Sequence, residues 1–159
     1  MQNGKRSDKK LALTLLLGLL LVGCGQKIYP EMPNDAIAFK MGEYTDENDD
    51  DALYGTIEYE GRIYMPYGTL SGSIGEKDID KCIGYIIQDK NSSSVVDKND
   101  TDTRVYTLAD DPAHNYLMDY YIGDTLMDQP NFWRAVDTKE KEIDIPEYIS
   151  NLEYPYWGN

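Results

Sequence analysis

Short runs in which apolar and polar residues alternate with a period of two set the strongest limit on the fold of this chain. Ile37, Phe39 and Met41 fall on one side of an extended segment and Lys40 on the other, because successive side chains of a strand point to opposite faces. Residues 54–59 and 63–67 flank Glu60-Gly61, a pair suited to a two-residue hairpin. Pro66 places the second of these strands at a sheet edge or close to its own end, since proline has no N–H for a ladder. Residues 103–108, 116–122 and 132–136 continue the strand pattern, and Gly123-Asp124 opens a connection that ends near Pro130. Two short helices are expected among them. One covers residues 76–82, with Ile79, Cys82 and Ile83 at one-face spacing. The other starts at Pro146, with Ile145, Ile149 and Leu152 on one side, a proline there being suited to the first helical turn. There is no internal repeat and no long heptad pattern. The expected fold class is α+β: one small strand-rich domain over residues 36–159, with one or two short helices.

The start of the chain has a different composition. Lys5, Arg6, Lys9 and Lys10 precede an apolar run from Leu11 to Val22 that stops at Gly23-Cys24. At about 1.5 Å per residue, residues 11–23 would span roughly 20 Å as a helix, against a hydrocarbon core of about 30 Å. A basic flank, a short run and a small residue at its end fit a signal peptide better than a membrane span. Thr14 is the only polar interruption, so there is no amphipathic face for a buried helix of a soluble domain. Leu21-Val22-Gly23-Cys24 resembles the lipobox of bacterial lipoproteins. That resemblance implies that residues 1–23 are cut away and that Cys24 carries a diacylglyceryl group on sulfur, at the outer (extracytoplasmic) face of the cell membrane. Two acyl chains make anchoring stable where one is marginal. Residues 24–35, which include Pro30 and Pro33, then read as lipidated cysteine and tether, reaching at most about 40 Å.

Removal of the leader sharpens the charge. It takes four of the 15 basic residues and one of the 29 acidic ones, leaving 11 against 28 and a net charge of −17 in place of −14. A domain that acidic is repelled by nucleic acid and by anionic headgroups. The lipid, not charge, must hold it at the membrane. Cys24 and Cys82 are the only cysteines, so acylation of the first leaves no intramolecular disulfide. Cys82 lies in an apolar setting and reads as a small buried hydrophobe. Two acidic runs, residues 46–51 and 92–102, read as solvated loops. Counted from Asp97, the sixth and twelfth positions are Asp102 and Leu108, where an EF-hand needs Gly and Glu.

Reactive motifs are scarce. His114 is the only histidine, which excludes multi-histidine zinc sites and the HExxH arrangement. It follows Asp110-Asp111-Pro112-Ala113 in a turn, where a solvated imidazole is expected. Ser71-Gly72-Ser73-Ile74-Gly75 has Ser where a nucleophile elbow needs its first glycine. No phosphate loop or dinucleotide fingerprint occurs. No catalytic residue, metal or cofactor is assigned. A carboxylate pair for glycoside hydrolysis is the one catalytic device that sequence does not reveal, and a hydrolase of wall or sugar substrates is the alternative function.

All 14 tyrosines lie beyond Cys24. They are densest at Tyr154-Pro155-Tyr156-Trp157, and Tyr154, Tyr156 and Trp157 are the candidate binding anchors, since such rings suit contact surfaces. Residues 60–69, 81–86 and 103–108 resemble segments of small lipoproteins of Gram-positive, clostridia-like bacteria. That likeness implies an envelope location and carries no activity. The function expected is a membrane-anchored, non-enzymatic binding module for a basic protein or peptide, because a strongly negative field selects a cationic partner. Cells fed an alkynyl fatty acid should incorporate label into the wild-type chain and not into Cys24→Ala. Equal labelling of the two would remove the anchor.

Overall fold

The computed structural model describes residues 29–46, 49–87, 103–121, 129–152 and 155–157. Eight strands form one sheet: β1 (Ile37–Lys40), β2 (Gly42–Asp46), β3 (Asp49–Tyr59), β4 (Arg62–Thr69), β5 (Ile79–Ile87), β6 (Thr103–Leu108), β7 (Tyr116–Tyr121) and β8 (Asn131–Ala135). Their order is β1-β5-β6-β7-β8-β4-β3-β2. The two outermost strands, β1 and β2, are neighbours in the chain with only Met41 between them. The sheet therefore curls back on itself into a nearly closed barrel. β1 runs parallel to β5, while β2 runs antiparallel to β3.

The α+β expectation is corrected by this architecture. No α-helix occurs among the described residues, and the helical elements are single 3-10 turns such as Glu76–Asp78 and Glu147–Ile149. The reason is local. β5 carries register shifts between Ile79 and Cys82 and between Cys82 and Gly84. Each irregularity breaks strict alternation, so Ile79 and Cys82 reach one cluster while Ile83 and Ile86 reach the other. A bulged strand thus produces the three-residue spacing that reads as a helix. At the other site, Ile149 and Leu152 do share a side, because a 3-10 turn repeats every three residues. Ile145, assigned to that same side, is 38% exposed.

Other strand details follow the chain closely. Tyr59 pairs with Arg62 across Glu60-Gly61, and these two residues have φ of 50° and 75°, as a type I′ hairpin turn requires. β4 lies between β3 and β8, but its ladder with β3 covers only Arg62–Tyr64, so at Pro66 it pairs with β8 alone, and that ladder shifts register between Pro66 and Gly68. A strand unpaired on one side accommodates a residue without an N–H. The first acidic run is not a simple loop either. Asp46 ends β2 and Asp49–Asp51 begin β3; residues 47 and 48, like the run at 92–102, lie outside the described residues.

Apolar residues are buried on both faces of the sheet. One cluster takes Phe39, Tyr59, Tyr64, Ile86, Val105, Leu117 and Trp133 from strands all around the ring, and it fills the interior. The second, on the outer face, joins Tyr67, Cys82, Tyr106, Tyr116, Met118 and Phe132. Segments at the two ends of the fold cover it: Tyr29 and Met32 on one side, and Ile149, Leu152 and Trp157 on the other. Gly68 permits the second cover, since a Cβ there would lie 2.6 Å from the Cβ of Leu152. Two-sided burial explains why β6, β7 and β8 are buried at nearly every position in place of alternating.

Candidate functional site

Trp157 packs, partly buried, on the outer cluster beside β4 and β8, and Tyr156 lies between it and Tyr44 of β2 and Tyr54 of β3. Tyr156 is 5% exposed, with its ring edge-on to Tyr44, Tyr54 and Trp157 at 5.8, 5.4 and 4.8 Å. Trp157 donates its indole N–H to the Pro66 carbonyl at 2.9 Å. The guanidinium of Arg134 lies 4.8 Å from the Trp157 ring and just under 6 Å from Tyr67 and Tyr116. It donates to the hydroxyl and carbonyl oxygens of Thr138, both at 2.9 Å. A cation held over aromatic faces away from water is stabilised by their quadrupoles. Arg134 therefore ties the C-terminal rings to the barrel wall. Of the residues expected as anchors, Tyr156 is buried and Trp157 is partly buried against the barrel, while Tyr154 lies outside the described residues, as does Cys24.

A second constellation closes one end of the barrel. Arg62, next to the β3–β4 turn, donates to Asp137 twice, to the carbonyls of Ala113 and His114, and to the Asn115 side chain, at 2.8 to 3.3 Å. These contacts engage all five guanidinium N–H groups. Tyr64 adds an O–H bond to the His114 carbonyl at 2.6 Å. His114, expected to be solvated, packs on the Tyr59 ring and sets Nδ1 3.2 Å from a Glu60 carboxylate oxygen. That hydrogen bond holds the Glu60 carboxyl below its ordinary range. The contacts of the imidazole with Tyr59 and Glu60 join the His114 turn to the β3–β4 turn.

The third place is a groove of about 390 Å³ lined by Pro30, Glu31, Pro33, Asp35, Ile37, Tyr59, Lys81, Cys82 and Ile83. It lies where the ring is open. β1 leaves β3 to pair with β5, so Ile37 and Tyr59 stand on opposite sides of a fork. Residues 29–33, expected as free tether, form one wall, held by Tyr29 stacked on Tyr120 at 4.6 Å. Burial raises the Tyr59 phenol, and the charges of Glu60 and Asp80 push it further the same way. Burial also raises the Cys82 thiol, which donates weakly to the Gly84 carbonyl at 3.6 Å. That thiol is a packing group, not a nucleophile.

Two acids are buried among the described residues: Asp111, which accepts the Tyr116 backbone N–H at 2.6 Å, and Asp119. Asp119 projects from β7 into the interior, accepts from Asn131 and from the Trp133 indole, and is raised by burial in spite of those bonds. Its signal was an acid inside the apolar run Tyr-Leu-Met-Asp-Tyr-Tyr. Arg62 and Arg134 had no such signal, because a cation in a strand is ordinarily solvent-facing. Among the described residues, no group of three or more His, Cys, Asp or Glu side chains could hold a metal ion.

No family model, curated protein or solved structure matches the chain. The geometry stands alone. Trp157→Ala should destabilise the fold by about 2–4 kcal/mol, through lost packing and an uncovered cation. Urea unfolding measures it, and a change below about 0.5 kcal/mol, the range of ordinary surface substitutions, would return Trp157 to the role of a surface anchor.

Proposed function

We propose that this chain is a lipid-anchored, extracytoplasmic binding module, non-enzymatic, that captures a basic protein or peptide at the cell envelope. The observation that carries the proposal is the acidic excess at the surface. Among the described residues the buried charges are Arg134, Asp111 and Asp119, and Arg62 is locked between loops. Exposed carboxylates include Glu31, Asp35, Glu58, Asp80, Glu142, Asp144 and Glu147, against the exposed lysines Lys40, Lys77, Lys81 and Lys141. The field presented to a partner is therefore negative, as the composition implies. Such a field speeds encounter with cations and rejects anions. The lipid on Cys24 supplies attachment that charge does not, and residues 29–33 packed on the barrel shorten the free tether. From Cys24 to Tyr29 the chain reaches at most about 18 Å, so capture takes place close to the bilayer.

The test uses the full chain in detergent, passed over immobilised hexalysine and hexaglutamate. It should be retained by hexalysine alone at low salt, about 0.01 M, and released near 1 M, where the screening length falls from about 30 to about 3 Å. Retention on neither peptide, or retention that salt leaves unchanged, would overturn the proposal.

A further inference from the structure

We propose that the groove at the open fork of the barrel is the capture site, and that it takes the side chain of one lysine or arginine from an extended partner peptide. This rests on the basic-partner function above and gives it a place and a binding mode.

The fork supplies the shape. In the strand ladders of the described residues β1 pairs only with β5, and Ile57–Tyr59 of β3 pair only with β4. Two strand edges therefore diverge from Met41 and leave a wedge between them. Its volume of about 390 Å³ is at the small end of ligand pockets, which run from about 300 to 1,000 Å³. That suits one long side chain and excludes the surface of a folded partner.

The lining supplies the chemistry. Ile37, Ile83 and Pro30 offer an apolar floor, and lysine and arginine bring an apolar stem with a charged head. Glu31 and Asp35, both exposed, stand at the rim, where they can take the ammonium or guanidinium. Glu60 and Asp80 act on the Tyr59 hydroxyl from the other wall. Among the described residues of the lining, Lys81 is the single cation. Phosphate headgroups and nucleic acid are rejected by the same carboxylates, so the sign of the occupant is fixed. The β1 edge beside the groove can also pair with an extended backbone, the mode in which main-chain bonds give affinity and a pocket gives side-chain selectivity.

Binding of a fluorescently labelled, end-blocked hexalysine peptide to the detergent-solubilised full chain tests this by anisotropy. Glu31→Gln with Asp35→Asn should weaken binding about tenfold or more. Glu142→Gln with Asp144→Asn removes the same charge from an exposed segment away from the groove and should change affinity by less than about twofold. Lys81→Gln should tighten it. Circular dichroism checks that each variant retains the sheet. Equal weakening by the two acidic pairs would overturn the groove while leaving the basic-partner function intact. A wild-type chain that does not bind hexalysine would overturn both.

Discussion

The parallel pairing of β1 with β5 is the contact that turns an eight-stranded sheet into a barrel. Ile37 pairs with Gly84, Phe39 with Ile86 and Lys40 with Ile87. The backbones meet most closely at Gly84. A Cβ there would fall on the Ile37 carbonyl oxygen and lie 2.8 Å from the Phe39 ring. Without this pairing β5 would be an open edge, a template for wrong partners, and Phe39 and Ile86 would lose their cover. The interior cluster, the fork and its groove all follow from where β1 attaches.

A closed ring solves the inner face and leaves the outer one. Here the outer face is as apolar as the inner, and the chain covers it with its own flanking segments. Tyr29 stacks on Tyr120 and meets Tyr106 at a tilt on one side, while Ile149 and Trp157 close the other. Arg134 is the organising group, a cation between three rings that also fixes Thr138, whose hydroxyl donates to Ala135 at 2.6 Å. Charge of both signs is buried, and each group is held by partners: Arg134 by Thr138, Asp111 by the Tyr116 backbone N–H, Asp119 by Asn131 and Trp133.

The strands were legible where alternation or a turn pair marks them, as at Ile37, Phe39 and Glu60-Gly61. Sequence reasoning failed where geometry departs from period two. The irregularities around Cys82 imitate a helical face. A Tyr-rich tail reads equally as a contact surface or as a cover, and the packing of Tyr156 and Trp157 on the barrel had no linear signal. The groove had no linear signal at all, since its lining joins three separate segments, Glu31 and Asp35 before β1, Tyr59 of β3 and Lys81 of β5, brought together by the closure of the ring. Cys24 remains a statement of sequence, and the anchor at that position is a proposal.

Closure at Gly84 can be measured directly by replacing it. Gly84→Ala forces backbone apart at the seam, an overpacking cost of about 1–3 kcal/mol, or a fall in Tm of about 3–12 °C for a domain of this size. Hydrogen exchange followed by mass spectrometry on the same variant should show lost protection over residues 37–40 while residues 116–121 of β7 stay protected. A variant that keeps wild-type Tm and wild-type protection at residues 37–40 would contradict closure through β1 and β5.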